Sequence, residues 1–538
     1  MRFEQRISAS LRPAATAALA LVLFASGRPV FASEQNPASP APTAQATAAT
    51  TSQGPQLRIT ADDAVRMAIE NNLGIQAQRL SPQIESLNVA QARAVYAPSL
   101  ISTTTKRSSA NPTGDFLSGT GDVITDASLR TNAGLQQLVP WGGGRYQFTL
   151  DASNSTTTRF SNYNPQLGSN FNASYTQPLL RDFRIDSFRQ QLLLSKTQEQ
   201  IADIQLRQQI TVTSRNVRSA YYDLVGAIAG LKVAKQSLDL ANESLRNNQR
   251  KVEVGTMAPI DIIEAQAEVS RNEEQVIVQE GQIRSFEDRL RTLIMNPSQP
   301  DFWTLGIEPT EQPTLTPKAV DVEAAVANAL NNRTDLAQAR RQLESTGITL
   351  QYARNQKLPA VDLVANYGLV GLAGTQFQFG SGFPPPVINQ SQRSFGDALR
   401  DVFDNQFKTW SLQLQVSYPI GTSPAEAGLA ATRLRQQQQN IDIRDLEMQI
   451  ATAVRDVARQ VNTSLKRVEA TTKARGFAER RYEAAQKQMS VGLATTFQLF
   501  QAQRDLSFQL QAELNAIIAY NRALIDFEAV QIAPIGGR

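Results

Sequence analysis

The chain contains no cysteine and no histidine among its 538 residues. Disulfides, thiolate nucleophiles, imidazole bases and nearly every zinc, copper or haem site are therefore excluded. No Walker motif or phosphate-cradling glycine loop occurs either. Carboxylate pairs such as Asp62/Asp63 and Glu273/Glu274 lie on helical stretches with no accompanying pocket signal. An enzyme is not expected, nor is a cofactor or a metal. Long apolar runs are also missing: the best, Ala14–Ala25, is shorter than the ~20 residues a membrane helix needs. Charge of one sign is nearly absent once a leader is set aside. Arg2, Arg6, Arg12 and Arg28 fall in that leader against Glu4, leaving 49 basic and 48 acidic residues. Nucleic acid, which calls for a concentrated basic excess, is not an expected partner.

The leader spans residues 1–32. Three arginines precede the short apolar run "AATAALALVLFA", and Val30-Phe31-Ala32 offers a cleavage site before Ser33, the pattern of a secretory signal. Without a cysteine no lipid can be attached at a mature amino terminus. Residues 33–56 are rich in Pro, Ala and Thr and nearly uncharged, which predicts a disordered linker. Order is expected from "ITADDAVRMAIENN", where Thr60 with Asp63 three residues on resembles a capping box.

From there the chain repeats itself. "KVEVGTMAPIDIIEAQ" (residues 251–266) and "KQMSVGLATTFQLFQAQ" (residues 487–503) share a Val-Gly and, ten residues after the glycine, an Ala-Gln. Pro98 and Pro359 close matching helical stretches 261 residues apart, and "YTQPLL" (Pro178) and "SYPIGT" (Pro419) each end a strand-like segment. The order helix, strands, long helix, turn, helix is thus expected twice, over 57–297 and 321–532, with a linker or equatorial segment at 298–320 and a tail at 533–538. Between each proline and the following glycine lie about 70 helical residues, ~105 Å at 1.5 Å per residue. Their apolar residues form narrow seams: Leu224, Ile228, Leu231, Leu238, Leu245 and Val252 in the first, and Leu446, Ile450, Val454, Val457, Val461, Leu465 and Val468 in the second. After the first turn Ile262, Val269, Val276, Ile283 and Leu290 recur every seven residues. Such stripes pack helices side by side, as in coiled coils.

The strand-like segments alternate. "WSLQLQVSYP" puts Trp410, Leu412, Leu414, Val416 and Tyr418 on one face and polar residues on the other. Its length and pattern fit a transmembrane β-strand with aromatic ends. The first half also holds "LRTNAGLQQLVPWGGGRYQFTLDAS", which reads as a hairpin turning at Trp141–Gly144. We expect this hairpin, within 128–153, to join the wall of membrane-spanning strands and not to form an extracellular cap. In the second half, residues 371–407 are expected to form an extracellular loop with a short helix around Phe395–Phe403.

On the two Val-Gly turns with their Ala-Gln partners, on "QPLL" and "YPIG", and on the doubled helix before the first strands, the chain resembles the TolC-type outer-membrane efflux protein family. The resemblance spans Leu57 to Ile532. It implies an α+β membrane protein: a trimeric outer-membrane β-barrel continuous with a long periplasmic α-helical coiled-coil tunnel, built from an internal duplication. It implies a passive exit duct for small molecules or proteins in a Gram-negative-type cell. The partners it implies are two further copies of the chain, a periplasmic adaptor, an inner-membrane pump or ABC exporter, and outer-membrane lipid. Val254, Gly255, Thr256, Val491, Gly492 and Leu493 would then be adaptor-docking tips. Asp261, Glu264, Gln498 and Gln501 would line the periplasmic entrance, although Gln498 and Gln501 stand where the family tends to place acids. Ala494 stands where some members carry a basic lock. With two hairpin strands added, each chain would supply six strands and the trimer eighteen instead of the family's twelve. A trimeric adhesive surface protein and a self-contained porin are the rival readings. The first lacks a large external head, and the second would spend its length on strands.

Overall fold

The computed structural model describes residues 56–113, 123–313, 315–382, 385–421 and 423–535. The expected signal peptide, almost all of the 33–56 linker and the end of the tail lie outside these residues. Strand β1 (Gln56–Ile59) leads into α1 (Ala61–Asn71) and α2 (Leu73–Ala94). Four strands follow: β2 (Ser99–Pro112), β3 (Val123–Leu138), β4 (Arg145–Thr157) and β5 (Tyr163–Pro178). The chain then runs through α3 (Ser187–Glu253), turns, and returns as α4 (Ile260–Ile294). After β6 (Gly306–Pro309) come α5 (Val322–Asn332), α6 (Thr334–Gln356), β7 (Ala360–Phe379), β8 (Val387–Arg393), α7 (Phe395–Phe403) and β9 (Lys408–Ser417). Helices α8 (Pro424–Ser490) and α9 (Thr496–Val530) complete the second half.

The halves match helix for helix. α3 and α8 each have 67 residues, α4 and α9 each 35, and α1 and α5 each 11. At 1.5 Å per residue the long pair measures ~100 Å. Local chemistry starts each helix where it does. Thr60 and Asp63 form the expected capping box, Asp186 accepts from the Arg189 amide, and Ser423 accepts from the Glu426 amide with Pro424 next. These caps satisfy amides that have no partner within the helix.

Each long helix is a spine with α4 or α9 along its lower half, and α2 or α6 along its upper half. In α3 the leucine seam is only half of the contact. Ala227, Ala234, Ala241 and Asn248 are buried at seven-residue spacing, while Ile228, expected in the seam, is 39% exposed. Small residues let the paired helices approach closely, and an alanine stripe carries too little hydropathy to stand out in a sequence. Midway along the spines a belt forms. Tyr221 and Tyr520 are fully buried. The Tyr221 hydroxyl donates to the Ile59 carbonyl at 3.2 Å, and that of Tyr520 donates to the Thr316 carbonyl at 3.3 Å. Tyr221 thus ties β1 to the first spine and also accepts from the Glu311 amide at 3.3 Å, while Tyr520 ties the crossover to α9. The segment expected as a linker or equatorial segment, 298–320, contains β6, which pairs in parallel with β1. The described residues thus open with a strand, just before the expected helix.

All other strands form one antiparallel sheet in the order β2-β3-β4-β5-β7, with both β8 and β9 on the far side of β7. The 128–153 hairpin is part of this sheet, since β3 and β4 lie between β2 and β5. Its turn, with Gly142 at φ +68° and Gly143 at φ +70°, abuts the end of β5, where Gln177 donates to the Gly142 carbonyl at 2.7 Å, and the start of α3, where Asp186 and Arg189 lie beside Gly143. The expected loop at 371–407 needs correction. β7 continues to Phe379, its upper part pairs with β8, and its lower part (residues 360–369) pairs with β9. One edge position is therefore filled by two short strands in succession. The short helix expected around Phe395–Phe403 is α7, and it interrupts that edge and packs on β5 and β7. A side chain at Gly371 would run into the Ala398 carbonyl, so glycine is what admits the helix.

Candidate site: hairpin tips, entrance and sheet face

Both spines end in the same hydrogen-bonded turn. After α3, the Gly255 amide donates to the Val252 carbonyl at 2.9 Å and the Thr256 amide to the Lys251 carbonyl at 2.8 Å. After α8, the Gly492 amide donates to Met489 at 3.3 Å and the Leu493 amide to Gln488 at 2.9 Å. These are paired Schellman motifs, with the glycine left-handed at φ +77° in each. Nothing lies within 4 Å of where a Cβ would project from either glycine, so only the backbone angle demands the residue. The apolar residues beside them face outward: Val254 is 73% exposed, Val491 68% and Leu493 79%. A solvated apolar tip gains nothing within its own chain.

The four entrance candidates occupy the first two turns of α4 and α9. Asp261 is half-buried, whereas Glu264, Gln498 and Gln501 are exposed. The chemistry of the two tips differs. Pro259 precedes α4 without a side-chain cap, and Asp261 supplies negative charge at the positive end of the helix dipole. Thr495 caps α9, and the Gln498 side chain accepts from the Thr495 amide at 3.0 Å. Gln498 is thus engaged in a capping box at the position where Asp261 carries charge in the first half.

At the other end of the molecule the sheet has two unlike faces. One register line crosses six strands as Leu100, Leu135, Phe148, Ala173, Tyr367 and Trp410. The adjoining line, on the opposite face, reads Ser99, Gln136, Gln147, Ser174, Asn366 and Ser411. Trp410 is 76% exposed and the rest of β9 is open along its length. Among the described residues no helix is long and apolar enough to cross a membrane.

Sequence reasoning missed the polar contacts that join the halves. Asp223 on α3 is buried and receives the Arg522 guanidinium of α9, with Arg289 at 3.7 Å. Burial pushes its carboxyl above the ordinary range, and the two arginines oppose that shift. Arg215 meets Asp526 at 2.6 Å, and Arg218 reaches both Asp62 and Glu528. The pairs to α9 lie about 300 residues apart in sequence, beyond any local pattern.

Comparisons with known proteins agree with this architecture. The family model for outer membrane efflux proteins matches residues 64–294 and 325–530. The outer membrane protein TolC of Escherichia coli (strain K12) is 21% identical over 312 residues, 57% of this chain and 58% of that relative's length. Among solved structures, the Campylobacter jejuni CmeC outer membrane channel superposes with a TM-score of 0.61 at 14% identity, covering 92% of this chain and 94% of that one. The Neisseria gonorrhoeae MtrE outer membrane channel gives 0.60 at 15% identity, covering 88% and 89%. At these identities the superpositions speak for the fold, and the family match speaks for kinship. The chain belongs to the outer membrane efflux protein family, and its place is the outer membrane.

Proposed function

We propose that three copies of this chain form a passive exit duct, a closed barrel in the outer membrane continuous with a helical tunnel in the periplasm. The observation that carries it is the combination within one chain of a two-faced, six-strand-wide sheet and spines of 67 residues. A sheet with an apolar face and two open edges is complete only when closed on other sheets within lipid. The matched halves are the product of an internal duplication, so each copy brings two hairpins to the tunnel mouth. Val254, Gly255 and Thr256 on one, with Val491, Gly492 and Leu493 on the other, dock a periplasmic adaptor. An inner-membrane pump or ABC exporter supplies the energy, and small molecules or proteins are the cargo. No catalytic step belongs to the chain itself.

Planar-bilayer recording tests this reading. The purified protein should conduct as one wide, cation-preferring pore, because three copies of Asp261 and Glu264 focus negative potential in a narrow entrance. Asp261→Asn with Glu264→Gln should weaken that preference. A protein that inserts without conducting would end the duct reading, and unchanged selectivity in the double variant would move the acidic ring elsewhere.

A further inference from the structure

Helix α7 lies on the apolar face of the sheet. Between Asp362 and Gly374, β7 keeps an unbroken register with β5, so Tyr367, Leu369, Gly371 and Ala373 point the same way. A Cβ on Gly371 would run into the Ala398 carbonyl. The helix is therefore on the side of Tyr367 and Trp410, not on the side of Asn366 and Ser411. Its level is also defined. One register line of that face reads Leu150, Phe171 and Leu369. The next line, farther from the ends where β5 and β9 lead into α3 and α8, reads Thr104, Thr131, Ala152, Ser169 and Gly371. Helix α7 thus rests where the face turns from apolar to polar, away from the spines.

The helix has three sides. Ala398, Asp401 and Val402 are buried. Phe395, Leu399 and Phe403, four residues apart, form one flank, and Phe403 is 75% exposed. Asp397, Arg400 and Asp404 form the other flank. Asn405, at the end that bears Phe403, accepts from the Tyr367 hydroxyl at 2.7 Å, so this end meets the aromatic part of the sheet face. Each charged residue of the helix is matched. Asp401 receives Arg393 at 2.8 and 2.9 Å, and Arg393 also donates to the Leu372 carbonyl at 3.0 Å. Arg400 pairs with Asp404 at 3.8 Å, and Asp397 accepts from the Ser394 amide and hydroxyl at 2.7 and 2.9 Å.

The geometry points to α7 as a lipid-docking helix, lying in the outer leaflet's boundary against the outside of the wall, with Phe395, Leu399 and Phe403 among acyl chains and Arg400 at headgroup level. The inference rests on the reading above that the apolar face meets lipid. A helix with one apolar and one charged flank is stable at such a boundary, because each flank meets its own solvent. The long arginine stem lets a guanidinium reach the headgroups while its base stays among the chains. Matched charges lower the cost of leaving water. A helix plugging the channel would have to lie on the polar face, and α7 does not. Nor is a second copy the fitting occupant: neighbouring sheets meet at the open edges, whereas α7 packs on β5 and β7, inward of β9.

Three tryptophans in the chain make a fluorescence test direct. With Trp141→Phe and Trp303→Phe, the remaining Trp410 reports on the wall. Adding Trp410→Phe and Phe403→Trp moves the reporter to the helix, and Phe395→Trp supplies a second reporter on the same flank. Each full-length variant is placed in phosphatidylcholine vesicles whose acyl chains carry bromine, and separately in plain vesicles with iodide on both sides. Bromine should remove most of the emission at Trp410 and at both helix positions, and iodide little of it. Loss to bromine at Trp410 alone would sink the helix proposal and leave the lipid-facing wall standing; loss at none of the three would sink both. Helix reporters quenched by iodide would stand in water, and reporters shielded from both quenchers would be covered by protein. Either result overturns the docking of α7 on lipid.

Discussion

Gly255 and Gly492 each hold φ at +77° in open space. A side chain there would clash with nothing beyond its own backbone, so the cost of replacement is conformational, about 1–2 kcal/mol for an ordinary L-residue. β-Branched residues tolerate the angle worst, and asparagine tolerates it comparatively well. We expect Gly255→Val and Gly492→Val to insert and assemble normally while export falls sharply, and the asparagine variants to keep most of it. The measurement is export in cells alongside the surface level of each variant. Full export by both valine variants would reduce the glycines to helix terminators. The need for glycine was legible in the sequence, because a Val-Gly between two helical periods leaves few other ways to turn. That Gln498 closes a capping box, where Asp261 carries charge, emerged only from the hydrogen bonds.

Between elements, the contact of α3 with α9 depends on a buried carboxylate. Asp223 is held by Arg522, with Arg289 in reserve. Because burial raises its folded pKa, Asp223 binds a proton more tightly folded than unfolded. Its contribution to stability is fully present below the ordinary value near 3.8 and is lost as pH rises through the raised folded value. Asp223→Asn should therefore flatten this part of the pH dependence and stay within about 1 kcal/mol of the parent at neutral pH, since replacing a buried charge avoids its desolvation. Arg522→Ala leaves the carboxylate buried with weaker compensation and should cost about 3 kcal/mol. Denaturant unfolding in detergent at several pH values measures both. Equal losses for the two variants would show that the pair stabilises as a unit.

For the whole molecule, the open question is what closes the sheet. Each chain supplies six strand positions, the last filled by β8 and β9 in succession. Three copies would make eighteen, a porin-sized count. Tyr146, Phe148 and Leu150 on β4 share the face of Trp410 and Tyr367. Single cysteines at these positions should report a lipid-like environment and resist a membrane-impermeant thiol reagent added outside the cell. Labelling from outside would place β3 and β4 away from the wall and return the barrel to twelve strands.

The sequence by itself determined the lengths of the spines, the places where they turn, and the alternation of β9 and of the β3–β4 hairpin. Each of these is a local property, written as a period, a proline or a glycine within a few residues. Tertiary structure alone decided three further matters. It made residues 371–379 an extension of β7, because β8 and α7 cover that stretch. It paired β1 with β6 across 250 residues and joined α3 to α9 through Arg215, Arg218 and Asp223. It also buried an alanine stripe that hydropathy barely marks. The reason is that a partner hundreds of residues away leaves no periodicity in its own neighbourhood: its identity is fixed only when packing brings the two surfaces together.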